Sequence, residues 1–198
     1  MGTRGKRVAL TADLIINGYC DRTLLEKSQN RVYPNIFLGK WEADLLEITK
    51  AGYLYEYEVK ISRHDFKIDS QKATYHYETN IPKSRKYDVL QAGERVNYFS
   101  FLVPEGLIDP EEVPEWAGLI YARGYVDKIP VGSDKEGEII YEERTGIILS
   151  TIKKPRRLRE EKISPKELEE INRKLYYRYH KIRCKLRGKK LITPFGVN

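Results

Sequence analysis

The stretch that most constrains this sequence is Tyr53-Leu54-Tyr55-Glu56-Tyr57-Glu58-Val59-Lys60-Ile61, where aromatic and branched side chains alternate with charged ones. Such residues favour a pleated, half-buried strand, and a strand turns successive side chains to opposite faces. Tyr53, Tyr55, Tyr57 and Val59 then share one face, and Leu54, Glu56, Glu58 and Lys60 the other. Glu58 and Lys60 become neighbours, roughly 7 Å apart at about 3.3 Å per residue. Acids and a lysine on a core strand are costly unless they are paired or bound to something. Asp44–Thr49 reads as a second strand and Lys50-Ala51-Gly52 as the turn between the two. The resulting hairpin opens with Asp44 and returns its carboxylate to the side of Glu58.

Two carboxylates converging at the end of a sheet make a hard-oxygen site suited to Mg²⁺ or Mn²⁺, with water filling the remaining positions. A metal there lowers the pKa of a bound water and stabilises charge growing on a phosphate. A lysine two residues on would orient that water or meet a phosphate oxygen, which completes the minimal equipment for phosphodiester hydrolysis. The same residues equally describe an ordinary solvated hairpin face with a Glu–Lys pair, a feature worth little energetically.

The remaining elements surround this hairpin. Residues 9–28 carry Leu10, Leu14, Ile15, Leu24 and Leu25 at helical spacing, as one helix or two broken near Gly18. Arg31–Leu38 is a strand that Pro34 confines to an edge or a bulge. Arg63 to about Thr79 reads as a helix, and Pro82–Arg95 as an exposed polar loop. Val96–Val103, Gly118–Ala122 and Thr145–Ile152 are strands, with residues 124–143 a surface hairpin inserted between the last two. The final helix is the best marked: Ser164 caps it, Pro165 occupies its first position and Glu167 completes a capping box. Leu168, Ile171, Leu175, Tyr179, Ile182 and Leu186 then form one apolar stripe. The expected fold is α/β: a central mixed sheet flanked by helices, with a core over 1–152 and a basic linker and amphipathic helix over 153–198 packing on it.

The order of these pieces carries a resemblance. Trp41-Glu42-Ala43-Asp44-Leu45-Leu46, followed by Glu58-Val59-Lys60-Ile61-Ser62-Arg63-His64-Asp65-Phe66, resembles the PD-(D/E)XK nuclease superfamily. The nearest match within it is the MmcB-type DNA-repair nucleases and their phage-borne relatives. Tyr98–Gly106 and Ala117–Ile120 resemble the third-strand region of that family, so the likeness spans roughly residues 41–122. It implies a restriction-endonuclease-like fold and hydrolysis of DNA with Mg²⁺ or Mn²⁺. Asp44 and Glu58 would be metal ligands, joined by the backbone carbonyl of Val59, and Lys60 would be the catalytic lysine. Gln71 and Tyr75 are similar to a Gln-x-x-x-Tyr element on the helix after the lysine strand. Glu26 is the candidate for a first-helix acid, and Glu42 and Glu56 lie close enough to compete for the assigned roles. Ile61, where that family favours serine, the 124–143 hairpin and the basic tail depart from its minimal pattern.

Charge bears on the partner. The chain carries +7 overall, but residues 151–198 hold 16 Lys and Arg against 5 Asp and Glu, a net of +11, which leaves −4 on residues 1–150. An acidic body with a basic arm suits a polyanion such as DNA, with Lys153-Lys154-Pro155-Arg156-Arg157-Leu158-Arg159 and Lys83-Ser84-Arg85-Lys86 as the phosphate-contacting runs. A solvated charged face is the alternative for each. Cys20 and Cys184 suggest no disulfide framework, and His64, His76 and His180 are too scattered for zinc. No apolar run reaches the roughly 20 residues needed to cross a membrane, and the expected location is cytoplasmic. Two other functions remain open: a DNA-binding accessory protein on the same fold that does not cut, and an interaction module that dimerises through the last helix.

Overall fold

The hairpin expected from the sequence is present in the computed structural model, which describes residues 8–38, 41–75, 82–133 and 136–187. In chain order the elements are α1 (Ala12–Glu26), β1 (Arg31–Leu38), β2 (Trp41–Ile48), β3 (Leu54–Val59), α2 (Arg63–Asp69) and β4 (Ala73–Tyr75). They continue with β5 (Pro82–Arg85), α3 (Lys86–Gln91), β6 (Tyr98–Pro104), β7 (Gly118–Ser133), β8 (Ile139–Lys153) and α4 (Pro165–Leu186). Six strands form one sheet in the order β1-β2-β3-β6-β7-β8. β3, β6 and β7 run parallel at its centre, and the outer pairs are antiparallel. β1 is an edge strand, which accommodates Pro34.

Alternation on β3 divides the core into two layers. On one face Leu45, Tyr57, Val59, Leu102 and Ala122 pack against Ile15, Ile16 and Tyr19 of α1. On the other, Leu46, Ile48, Leu54, Phe99 and Phe101 pack beneath Leu90 of α3 and Ile171 of α4. The side chains of Leu54, Glu56 and Glu58 share a face, so the acids lie in this second layer. The architecture is a mixed sheet flanked by helices.

Helix ends follow local chemistry. Thr11 accepts a hydrogen bond from the Leu14 N–H and opens α1, and Ser164 and Glu167 form the expected capping box on α4. Gly18 does not break α1: a Cβ there would stand 3.0 Å from the Ile147 side chain, so the glycine permits α1 to close on β8. Asn97, fully buried, accepts from the Leu54 N–H and donates to the carbonyls of Arg159 and Glu161, fixing the linker before α4 to the sheet.

Four expectations are corrected. The strand carrying Asp44 begins at Trp41, so Asp44 is its fourth residue. The helix after β3 ends at Asp69. Turns follow it, with the Lys72 N–H donating to the Asp69 carbonyl, and the chain enters β4; residues 76–79 of the expected helix lie outside the described residues. The expected loop over 82–95 is instead β5 and α3, with Lys86, Leu90 and Arg95 buried. The 124–143 hairpin is no insertion between separate strands: β7 and β8 run on without interruption past the sheet as a two-stranded ribbon. No helix among the described residues is long and apolar enough to cross a membrane.

Candidate functional site

The β2–β3 register pairs Leu45 with Tyr57, and one further step sets Asp44 opposite Glu58. The Asp44 Oδ2 accepts a 2.7 Å hydrogen bond from the Val59 N–H, which locks the aspartate to the end of β3. Lys60 follows directly, its own N–H donating to the Leu102 carbonyl. Asp44, Glu58, Val59 and Lys60 therefore meet at one end of the sheet, as the alternation and the hairpin required.

Glu58 is nearly inaccessible, at 2% exposure, and is crowded by cations. Its Oε1 accepts from the Lys60 Nζ at 2.9 Å and the Lys72 Nζ at 2.5 Å, and its Oε2 from the Lys86 Nζ at 2.6 Å. Lys60 and Lys72 also approach Asp69 Oδ1 at 2.9 and 2.8 Å, and Tyr87 lies against the same carboxylate, so these neighbours hold Asp69 in its fully buried position. Lys86, with no exposed surface, reaches Glu56 at 3.2 Å. Glu56 is gripped by the fork of Arg95, whose other N–H groups donate to the Leu38 and Trp41 carbonyls and so tie the β1–β2 hairpin to the centre.

The cluster is balanced. Asp44, Glu56, Glu58 and Asp69 face Lys60, Lys72, Lys86 and Arg95. Isolated buried charges cost several kcal/mol each, and mutual pairing is what makes such a set tolerable. Burial alone would push the Glu58 carboxyl up, yet Lys86, Lys60 and Lys72 outweigh it and hold the group well below the usual carboxylate range. Lys72 and Lys86 are held above the usual lysine value: burial opposes their charge, but Glu58 and Asp69 beside Lys72, and Glu56 and Glu58 beside Lys86, prevail. Asp44 behaves in the opposite way. Burial and the neighbouring Glu58 charge raise its carboxyl to about 6, against smaller opposing effects from the Val59 N–H, Lys60 and Lys72.

The other sequence candidates disperse. Glu26 lies on α1, across the sheet from Glu58, exposed and paired with Arg22. Glu42 is exposed. Glu56 is committed to Arg95 and Lys86. Gln71 stands in the exposed turn after α2 and Tyr75 in β4, so neither is on the helix that the resemblance implied. Three linker cations turn inward or to neighbouring acids: Lys153 donates to the Val113 and Pro114 carbonyls, Arg156 pairs with Glu115 and Arg159 with Glu167, while Lys154 is exposed. Lys72, Asp69 and Arg95 escaped the sequence reading, and Lys86, expected in a phosphate-contacting run, is instead buried against Glu56 and Glu58. The available signal was the pair Glu56 and Glu58 on a core face, which demanded cations from elsewhere.

Oxygen donors here are two carboxylates, Asp44 and Glu58, with the Val59 carbonyl next after Glu58 in sequence. Among the described residues no three His, Cys, Asp or Glu side chains gather to hold a metal. Two carboxylates suit Mg²⁺, which keeps several waters, better than a cation that needs a complete protein cage. Of the three lysines on Glu58, only Lys72 has a substantially exposed side chain, at 40%, so it is the one free to yield that carboxylate to a metal.

No protein-family model matches the chain, and no curated protein matches it significantly. One solved structure is similar. It is a protein of unknown function from Silicibacter pomeroyi, with a TM-score of 0.51 at 14% identity over 96% of this chain and 98% of that one. The likeness is one of fold alone, extending over nearly the full length of both.

Proposed function

We propose that the chain is a divalent-metal-dependent nuclease of PD-(D/E)XK type, with a restriction-endonuclease-like fold and DNA as substrate. The observation that carries this reading is the Asp44 carboxylate on the Val59 N–H, opposite Glu58 and beside Lys60. The motif order over residues 41–66 supports it. Asp44, Glu58 and the Val59 carbonyl would hold Mg²⁺ or Mn²⁺. Such an ion supplies Lewis acidity, lowering the pKa of a bound water and offsetting charge on the phosphate. Lys60, held by Glu58 and Asp69, would set its amine to bind a phosphate oxygen or orient the attacking water. Asp69 is a positioning residue for that lysine.

The test is cleavage of labelled DNA with Mg²⁺ or Mn²⁺, against a chelator control. Asp44→Ala should abolish metal-dependent cutting while its circular dichroism spectrum stays that of the parent. Undiminished cutting by that variant would sink the proposal. A second reading, a DNA-binding protein that does not cut, has its own observation: Glu58 already carries three ammonium partners. It predicts DNA binding with no turnover in any divalent metal. A role in DNA repair or phage DNA processing belongs to either reading through the motif likeness.

A further inference from the structure

The basic surface of this chain is not where the linker composition put it. The linker cations at 153, 156 and 159 are engaged within the chain, whereas α4 and its C-cap Arg187 carry seven Lys and Arg and no acid from Ile171 onward. Four of them, Lys174, Arg178, Lys181 and Lys185, step by four, three and four residues and so form one stripe on the helix. At 1.5 Å per residue the stripe is about 16 Å long. Its start is fixed to the sheet: the Lys174 Nζ donates to the Phe37 carbonyl at 2.9 Å, and the Arg178 guanidinium to the Pro34 and Asn35 carbonyls at 2.5 and 3.0 Å. Asn35, with φ +49°, falls between the pairs Pro34–Leu45 and Ile36–Ala43, which places it opposite Asp44. The stripe thus starts one strand away from the candidate site, on the sheet face that carries Glu58.

We infer that the C-terminal half of α4 is a rail for one DNA strand, binding its phosphates at Lys181 and Lys185 and leading it past Arg178 to the Asp44–Glu58 centre. The inference rests on the nuclease-fold reading, since it supplies that centre with its substrate strand. Two features favour a polyanion over a second copy of the chain. Among the described residues Arg178, Lys181, Arg183 and Lys185 form no ion pair with a carboxylate, and two such helices side by side would repel. Tyr177 is 52% exposed and sits three residues after Lys174 and four before Lys181, beside the stripe, offering a face on which an unpaired base stacks. A duplex keeps its base faces covered, so the strand is one with unpaired bases.

The experiment is fluorescence anisotropy of a short labelled single-stranded DNA of mixed sequence with the full chain in chelator, titrated over salt. Lys181→Ala/Lys185→Ala, both exposed positions, should fold as the parent does. Loss of two phosphate contacts on a single strand lowers the log–log salt slope by about 1.4, and affinity falls about 25-fold at about 0.1 M salt. Tyr177→Ala should weaken single-strand binding further, and duplex should compete poorly. Unchanged affinity and slope in the double variant would overturn the inference. So would tighter binding of duplex, or substitutions that alter sedimentation of the chain but not DNA affinity, the outcome expected of a dimerisation surface. Because no metal is present, the binding is read whether or not the chain cuts. Binding lost in the variant alongside no cleavage by the parent would count against nuclease activity alone.

Discussion

Asp44→Asn should stabilise the metal-free protein at high pH and leave it unchanged in acid. The Asp44 carboxyl is raised from 3.8 to about 6 by burial and by Glu58. At 1.36 kcal/mol per pK unit that is an upper bound of about 3 kcal/mol. The sign follows from which form the fold disfavours. In acid, below about pH 4, the group is neutral in both folded and unfolded chains and costs nothing. Between the two pKa values the unfolded chain loses its proton and the folded one keeps it, so stability falls as pH rises; above about pH 6 the whole cost is present. Asparagine stays neutral, and its carbonyl oxygen replaces the carboxylate as acceptor for the Val59 N–H. A chain of this length shifts its Tm by about 2–4 °C per kcal/mol, so the variant should melt up to roughly 6–12 °C above the parent at about pH 8. Calorimetric melts of both proteins in chelator would measure it, and the curves should converge at about pH 4. Adding Mg²⁺ at the higher pH should raise the parent and not the variant, because a cation relieves the repulsion that asparagine has already removed. A variant melting below the parent by the same margin at both pH values would refute the electrostatic account of this site.

Glu58→Ala should cost about 3–5 kcal/mol in urea unfolding, because it removes one of the two carboxylates paired with the inaccessible Lys86 ammonium; a loss below 1 kcal/mol would mean that the cluster is looser than its geometry. Asp44 is for that reason the better position at which to test chemistry. Ile171→Ala removes the one fully buried side chain of α4 and should cost about 2–5 kcal/mol, with amide exchange of α4 rising before that of the sheet. Gly118→Ala would place a Cβ 2.4 Å from the Ser100 Oγ and 2.8 Å from the Pro155 Cδ, and overpacking of this kind costs about 1–3 kcal/mol; a Tm equal to the parent's would show that the linker moves freely at Pro155.

What was legible in the sequence was local. Period-two alternation placed Glu56, Glu58 and Lys60 on one face of β3, and the short Lys50–Gly52 turn gave Asp44 its register. Ser164 and Glu167 announced α4 because capping is completed within four residues. Illegible were the residues whose surroundings are assembled from distant parts of the chain. Lys86 stands among polar residues that look like an exposed loop, yet has no exposed surface, since Glu56 and Glu58 lie about thirty positions earlier. The apolar stripe of α4 likewise looked uniform, but the sheet runs out beneath it. Ile171 is covered and Leu168 and Leu175 pack on the core, while Tyr179, Ile182 and Leu186 stay exposed.

The sequence by itself determined which side chains share a face, because strand and helix periods act between neighbours. Only the tertiary structure decided which charges are paired and which remain free for a partner. The cations at 153, 156 and 159 were absorbed by carbonyls and acids nearby in space, Lys72 and Lys86 were drawn onto Glu58, and the α4 cations beyond Arg178 were left outward. Pairing depends on distance and burial, and both are set by contacts between residues far apart in the chain.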